Sequence, residues 1–506
     1  MSAEIGLDRR GADRPPALDE IPLLAEQAPA QSRATTDVRA SVGARDRYGV
    51  FSSAHIAEQL PFRGEDADWS EVVELRRRAS AAITDAAEDQ QRRHGPALTR
   101  EDRLLLGRAT IRRIVADHVR ALHRDGAELW STGKELSYVQ AVEDAVFGYG
   151  RLQPLLQLPD VENIEIHGCD SVVVQYGDGR RRRMPPVADS DDELVEAIRF
   201  LGQNSQPSRP FDDTHPTMTI ALGERFRLHA IGFGLSYRPS VVIRQHLLTQ
   251  VSLADLADTG MMPLEVAQFL DAAVLARTSM VIAGDQGAGK TTLLRALINA
   301  IPLGERFGTL ETDYELMTHL QPGRENILAL QARTGHGELA GGTRIGEFGI
   351  SELMPEALRQ NLSRLIVGEV RGGEAAAMFE AMQAGTGTLS TTHSHSAASI
   401  MDRLASRVAQ GGVLTIEEAY RQIAHNIHLL VFVTLADETW RGGGRRRYVS
   451  EIRQVTGALE SGRPVTHVSY RATADRGRPA GFFPDPDFDA ELLPFRRQLP
   501  SRKGTR

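Results

Sequence analysis

The run SMVIAGDQGAGKTTLLRAL, residues 279–297, decides the fold of the second half of the chain. Its first five residues have the character of a buried strand, and a helical pattern starts at Thr291. Between them, glycines let the backbone curl so that its N–H groups converge at the positive end of the helix. A strand, a glycine-rich loop and a helix in this order predict a cradle for nucleotide phosphates. A glycine turn that precedes a lysine by chance is the weaker interpretation, because it leaves the flanking strand and helix unexplained.

Two side chains of this loop have chemical roles. We expect Lys290 to reach the β- and γ-phosphate oxygens and the Thr291 hydroxyl to ligate Mg²⁺. The predicted cofactors are therefore ATP and Mg²⁺. The residues predicted to bind the nucleotide are Gly284, Gly287, Ala288, Gly289, Lys290, Thr291 and Thr292.

A second apolar run, residues 365–367, leads into Gly368 and Glu369. Parallel α/β sheets bind their ligands at the carboxyl ends of the strands, where Glu369 is expected to emerge. A hydrolase needs a carboxylate at this point to hold Mg²⁺ through water and to orient the attacking water. We therefore predict that Glu369 is catalytic and shares the metal site with Thr291, although Gly368 stands where an aspartate is usual.

Three acids, Glu311, Asp313 and Glu315, follow an expected strand at residues 306–310. Acids spaced this closely often belong to a solvated loop. Here the preceding strand is expected to end beside the phosphate loop, and this position favours a catalytic role.

Two histidines, His393 and His395, follow a short β-type run. Such a pair can ligate a metal, but no third ligand follows at a suitable spacing. We expect His393 to contact the γ-phosphate edge of the site. A buried polar histidine without a ligand is the alternative.

The composition is that of a globular protein, with 41% hydrophobic and 25% charged residues among 506. A net charge of −8 argues weakly against a dedicated nucleic-acid binder. One cysteine, Cys169, excludes an intramolecular disulfide and a cysteine-based metal site. No secretory signal is visible in residues 1–10, and the apolar stretch at 427–436 is about half the length of a membrane helix. We expect a cytoplasmic protein.

The chain is too long for one core, so we expect two domains with extensions. Residues 1–65 have the composition of a disordered leader, and residues 458–506 of a flexible tail. Residues 66–248 predict a helical extension followed by an α+β domain. Residues 249–457 alternate strands with helices, which predicts a parallel sheet and an α/β ATPase domain.

Four motifs together resemble the secretion ATPase superfamily of type II and type IV secretion and type IV pili. They lie at residues 284–291, 311–316, 364–375 and 390–393, and residues 147–156 and 161–168 resemble amino-domain signatures of the same group. Within the superfamily, the CpaF-type ATPases of Flp/Tad pilus assembly are the most similar. The resemblance covers residues 66–457.

This resemblance implies a RecA-like ATPase domain preceded by an α+β amino-terminal domain. It also implies a homo-hexamer, peripheral at the cytoplasmic face of a bacterial inner membrane, that drives a polytopic platform protein by ATP hydrolysis. The catalytic residues that it implies are Glu311, Glu315, Glu369, His393, Arg244 and Arg225, with Arg227 as the alternative to Arg225.

Several positions depart from the family pattern. Thr312 follows Glu311, and Thr386 stands where a first histidine is common. The segment 358–364 has lost an arginine, where Asn361 stands, and an aspartate. These losses keep open a nucleotide-gated scaffold that hydrolyses ATP slowly.

A nucleic-acid translocase is a third hypothesis. Basic runs occur at residues 76–78, 180–183 and 445–447. Without interleaved aromatic residues they are more typical of solvated turns or acidic-lipid contacts. No nucleic-acid partner is expected.

Overall fold

The computed structural model describes residues 67–94, 99–125, 128, 130–206, 208–248, 250–333, 335–340, 343–370, 372, 374–384, 387–412, 414–473 and 479–499. The predicted leader at 1–65 and Thr386 therefore lie outside the described residues. The chain divides into two compact units. The first contains the described residues up to Val174, with Arg183–Ile220 and Leu228–Val242. The second contains Gln175–Arg182, Ala221–Arg227 and the described residues from Ile243 onward.

Three helices open the first unit, as the three- and four-residue spacing of its apolar positions predicts: α1 (Trp69–His94), α2 (Arg100–Arg124) and α3 (Thr132–Phe147). Hydroxyl caps begin two of them, because Thr99 accepts from the Asp102 N–H and Ser131 from the Lys134 N–H. Their apolar faces form one core, which includes Val72, Leu75, Ile111, Val115, Tyr138 and Val142.

A six-stranded sheet follows, in the order β3-β2-β1-β6-β5-β4. Its strands are β1 (Val161–His167), β2 (Val172–Tyr176), β3 (Arg181–Met184), β4 (Thr217–Leu222), β5 (Phe226–Ile231) and β6 (Ser240–Gln245). The helices of this part are α4 (Gln153–Leu156) and α5 (Asp191–Gln203). In β1, Ile164 and Ile166 are buried at alternate positions, which is the pattern of a half-buried strand.

A nine-stranded sheet dominates the second unit, in the order β17-β16-β15-β14-β7-β13-β12-β8-β9. Its strands are β7 (Met280–Gly284), β8 (Phe307–Glu311), β9 (Ile327–Gln331), β12 (Arg364–Val370), β13 (Leu389–His393), β14 (Leu429–Asp437), β15 (Arg445–Glu460), β16 (Arg463–Ala472) and β17 (Pro479–Phe482). The strands from β14 to β9 run parallel, and β15 to β17 add antiparallel pairs. Two short strands, β10 (His336–Ala340) and β11 (Thr343–Ile345), pair with each other.

Helices cover both faces of this sheet. They are α6 (Leu253–Asp258), α7 (Leu264–Leu275), α8 (Lys290–Ala300), α9 (Ile350–Leu358), α10 (Glu374–Ala384), α11 (Ile400–Gln410), α12 (Ile416–Asn426) and α13 (Pro486–Leu492). Successive side chains of β7 enter opposite cores: Met280 and Ile282 one, Val281 and Ala283 the other. A parallel sheet buried on both faces explains why this strand is continuously apolar. The predicted α/β class, with a RecA-like ATPase domain after an α+β region, is confirmed.

In the described residues 458–473 and 479–499, the structure differs from the flexible tail predicted for 458–506. Strand β16 pairs with β15, and Tyr470 on it is buried in the sheet core. Further on, Arg497 donates to the buried carboxylate of Asp271, with Nε 2.7 Å from Oδ2. The glycine, proline and arginine content of this segment concealed an antiparallel extension of the sheet.

None of the helices in the described part of the chain is both long enough and apolar enough to cross a membrane.

Candidate active site

The phosphate loop joins β7 to α8 and depends on glycine at defined points. Gly287 and Gly289 have φ of 74° and 95°, in the left-handed region that other residues rarely adopt. At Gly284, a Cβ atom would lie 2.2 Å from the Val433 carbonyl oxygen of the neighbouring strand β14. The loop can therefore pack against β14 and turn into α8 only with these glycines.

Lys290, the first residue of α8, is buried and folds back over the loop. Its Nζ donates to the carbonyl oxygens of Gly284 and Asp285, at 3.1 and 3.0 Å. It also lies 3.2 Å from Nδ1 of His393. The ammonium group is thus held at the start of the helix, where a phosphate would meet it.

His393 connects the phosphate loop to the predicted catalytic carboxylate. Strand β13 lies between β7 and β12, and His393 pairs in register with Gly284. Its Nε2 lies 2.8 Å from Oε1 of Glu369 on β12. Because an ammonium group can only donate, Nδ1 of His393 is the acceptor and Nε2 carries the ring proton. Lys290, His393 and Glu369 thus form a chain of contacts.

Gly368, the departure in this strand, has a packing role. A Cβ atom at Gly368 would lie 3.1 Å from Cγ of Glu311 on the neighbouring strand β8. The glycine therefore makes room for the Glu311 side chain.

Glu311 is buried and organises the acidic loop that follows β8. Its Oε2 accepts hydrogen bonds from the backbone N–H groups of Glu315 and Leu316, at 2.8 and 2.7 Å. Burial raises the pKa of Glu311 to about 7, against the lowering effect of those two bonds. In this arrangement Glu311 positions the loop, and Glu315 presents its carboxylate.

Arginines hold Glu315 at both its carboxylate and its backbone. Arg227 of β5 pairs with Oε1 of Glu315 and lies 3.8 Å from Oδ2 of Asp313. The Glu315 carbonyl oxygen accepts from Nε of Arg295 at 2.8 Å. Arg295 is buried on α8, and this burial lowers its pKa to about 10.

A cleft at the carboxyl edge of the sheet collects these groups. Its lining combines the hydroxyl of the phosphate loop, the acidic loop, the β12 carboxylate and one arginine. The lining residues are Arg227, Thr291, Glu311, Thr312, Asp313, Glu315, Leu316, Gly368 and Glu369. Such a cleft can bind a hard cation and the charged end of a phosphate chain.

The family model described as "Type II/IV secretion system protein" matches residues 185–438, half of the chain. A "putative conjugal transfer protein" of Mycobacterium tuberculosis is 31% identical over 344 residues, which cover 64% of this chain and 90% of that protein. This chain belongs to the type II/IV secretion system protein family. The predicted membership of the secretion ATPase superfamily is confirmed at this level, and the CpaF-type subgroup stays a prediction.

Two proteins whose names place them in type IV secretion systems are also similar to this chain. The type IV secretion system protein PtlH of Bordetella pertussis is 32% identical over 185 residues, which cover 36% of this chain and 52% of PtlH. The crystal structure of the VirB11 ATPase from the Brucella suis type IV secretion system has 23% sequence identity and a TM-score of 0.31. It covers 61% of this chain and 98% of its own.

Two arginines predicted from the family pattern do not line the cleft of this secretion-system protein. Arg225 is exposed in the turn before β5, and its carbonyl oxygen accepts from the His246 N–H at 2.8 Å. Arg244 is half-buried on β6. The residue at the cleft is Arg227, the alternative that the sequence could not separate from Arg225 because both lie in one short run.

The remaining predicted residues lie close to the loop. Ala288 is buried and Thr292 is half-buried in the first turn of α8. His395 faces the loop from outside, with Nδ1 3.0 Å from Oδ1 of Asp285. Among the described residues, no group of three or more His, Cys, Asp or Glu side chains could hold a metal ion.

Arg447 contacts the phosphate loop, which differs from the expectation for its basic run. Arg447 belongs to the basic run 445–447, for which a solvated turn or a lipid contact is the sequence expectation. In the structure its Nε donates to the Gly287 carbonyl oxygen at 2.7 Å. No local signal separates Arg447 from its neighbours, except that strand alternation places Arg446 on the opposite face.

Proposed function

We propose that this chain hydrolyses ATP and acts as a motor subunit for protein secretion or pilus assembly. The observation that supports it best is the cleft in which Thr291 and Glu369 meet the acidic loop and Arg227. Family membership supports the same proposal, because the family consists of secretion-system proteins.

The residues at the site fit a magnesium nucleotide. The glycine-rich loop ends at a helix N-terminus, and Lys290 is buried beside it. Hydroxyl and carboxylate oxygens are ligands that Mg²⁺ prefers, and Thr291 and Glu369 both offer them. These two residues would hold Mg²⁺, Glu369 through water, and the ion would neutralise charge on the β- and γ-phosphates.

The protein's own residues would divide the remaining work. Lys290 would exchange the carbonyls of its loop for phosphate oxygens, since a phosphate is the stronger acceptor for an ammonium group. This exchange would release Nδ1 of His393, whose Nε2 contacts Glu369. Glu369 would then orient the attacking water and accept its proton. Phosphate binding would thereby change the contacts of His393 and, through them, the surroundings of the Glu369 carboxylate.

Positive charge for the γ-phosphoryl group would come from Arg227, which Glu315 and Asp313 hold at the cleft. Arg225 and Arg244 remain proposed phosphate contacts, as the family pattern implies. Glu311 would act through the loop that it orders.

At a finer level, we propose a homo-hexamer of the CpaF type. It would work on a polytopic platform protein at the cytoplasmic face of the inner membrane, as a peripheral component. The support is the family resemblance, together with relatives whose names place them in conjugal transfer and type IV secretion.

Steady-state ATPase measurements on the purified full chain test the proposal. Lys290→Ala should abolish tight nucleotide binding or turnover, and turnover within twofold of the parent would overturn the site assignment. Tight ATP binding without measurable turnover in the parent would instead support the slow scaffold. Light scattering with and without nucleotide tests the hexamer.

A further inference from the structure

The basic run 445–447 contributes one arginine to the phosphate loop from a strand far away in sequence. Nε of Arg447 donates to the Gly287 carbonyl oxygen at 2.7 Å, across 160 positions of the chain. The aliphatic part of the same side chain lies against Gly289, where a Cβ atom would be 3.4 Å from Cδ of Arg447. The residue therefore contacts two of the loop glycines.

The bond to Gly287 fixes one peptide plane of the loop. In a trans peptide the C=O and N–H groups point in opposite directions, so holding one orients the other. The N–H of that peptide belongs to Ala288 and donates to the Asp285 carbonyl oxygen at 3.3 Å. Lys290 donates to the same oxygen at 3.0 Å. Arg447 and Lys290 therefore hold the same turn of the phosphate loop, Arg447 through the Gly287 carbonyl and Lys290 through the Asp285 carbonyl.

The second donor of Arg447 reaches another turn. Its Nη1 lies 3.2 Å from the carbonyl oxygen of Gly177, in the turn between β2 and β3 that belongs to the second unit. That turn is fixed beside Arg447, because the Arg445 N–H donates to the Asp178 carbonyl oxygen at 3.0 Å. At Gly179, a Cβ atom would lie 2.6 Å from Cγ2 of Thr439. The β2–β3 turn is therefore seated closely on the β14–β15 turn.

We propose that Arg447 is a positioning residue that holds the phosphate loop ready for nucleotide and couples it to the β2–β3 turn, residues 177–179. One guanidinium joins the two backbones, so a displacement of the turn changes the support of the loop. Arg447 acts through the loop and touches no reacting atom. The expected effect of Arg447 on nucleotide binding rests on the proposed function, whereas its expected effect on hydrogen exchange of the loop does not.

Hydrogen exchange of the nucleotide-free full chain tests the loop directly. We expect Arg447→Ala to raise exchange of the amides of residues 284–292 about tenfold, because a charge-assisted hydrogen bond to the loop is lost. Arg447→Lys should recover part of the protection. Arg446→Ala is the matched control, since it removes the same charge from an exposed neighbour on the same strand. Parent-like exchange of the loop in Arg447→Ala, or faster exchange throughout the nine-stranded sheet, would overturn the proposal.

Nucleotide titrations separate positioning from catalysis. Arg447→Ala should raise KM for MgATP about tenfold and leave kcat within about threefold, because the loop binds the phosphates in the ground state and the transition state alike. A fall in kcat at unchanged KM would make Arg447 catalytic and refute the positioning role. If the parent itself binds no nucleotide, the proposed function fails, and hydrogen exchange still decides the role of Arg447.

A glycine pair tests the coupling to the turn. Gly179→Ala and Gly234→Ala both place a side chain on left-handed backbone, at φ of 93° and 81°. Only at Gly179 does the new Cβ meet the β14–β15 turn, since nothing lies within 4 Å of the Gly234 position. We expect Gly179→Ala to raise exchange at residues 284–292 about threefold and Gly234→Ala to leave it unchanged. Equal loop exchange in the two variants would refute the coupling.

Discussion

The two sides of the candidate site are built in different ways. On the phosphate-loop side, Lys290 takes two of its hydrogen-bond acceptors, Gly284 and Asp285, from within six residues. On the acidic side, Glu315 depends on Arg227, which lies 88 positions away. The carbonyl acceptors of Lys290 are therefore local, whereas the arginine that pairs with the Glu315 carboxylate comes from a distant segment. Substitutions should act more directly on the phosphate-loop side and through neighbouring residues on the acidic side.

The largest effect is expected where the two sides meet, at Glu369. Glu369→Gln should lower turnover by about 10³-fold and keep nucleotide affinity, since the amide can hydrogen-bond but cannot accept the proton of the attacking water. Turnover and equilibrium binding of ATP measure the two effects separately. Loss of binding at a parent-like melting temperature would make Glu369 a structural residue.

Arg227 tests the long-range side of the comparison. Arg227→Ala should lower turnover by about 10²-fold, because it removes the arginine at the cleft and leaves Glu315 and Asp313 without this partner. Arg225→Ala in the same assay compares Arg227 with the exposed arginine two positions away that the family pattern implies. Arg244→Ala in the same assay tests the arginine favoured by the family pattern. An equal loss in all three variants would remove the special position of Arg227.

Arg497 and Asp271 form a long-range ion pair that is expected to affect stability and not turnover. Arg497→Ala leaves the buried Asp271 carboxylate without this donor. Breaking a fully buried pair costs about 3–5 kcal/mol, and we expect about 2 kcal/mol here because Arg497 is half exposed. Urea denaturation measures this change. Arg496→Ala is the control, since its partner Asp489 is more exposed than the buried Asp271. A parent-like stability of Arg497→Ala would show that the tail contributes little to the core.

The smallest effect concerns the pH dependence of folding through Glu311. Its pKa of about 7 lies above its ordinary value of 4.5, so the folded state binds more protons between these values. The free energy of unfolding should therefore fall as pH rises through this window, by about 1 kcal/mol per pH unit. Glu311→Gln should flatten that slope, and Glu356→Gln, at an exposed position of α9, should not. Parallel pH profiles of the parent and Glu311→Gln would contradict the burial argument.

The sequence by itself determined the parts of this protein that are encoded over short distances. The apolar strand at 280–283, the glycines of the loop and the start of α8 all lie within one run. Steric limits on the backbone allow this strand–loop–helix turn only where glycine stands. The position of Glu369 is likewise encoded over a short distance, because the end of a parallel strand places its next residues at the sheet edge.

Tertiary structure alone decided which distant side chains meet at the candidate site and in the core. The choice between Arg225 and Arg227, the reach of Arg447 to Gly287, and the clamp of Arg497 on Asp271 each join segments tens to hundreds of residues apart. Composition made the segments that hold Arg447 and Arg497 look solvated or flexible. The partner of Arg447 is a backbone carbonyl, and the partner of Arg497 is a buried acid. The positions of both partners follow from strand order and packing, which the residues next to the two arginines do not determine.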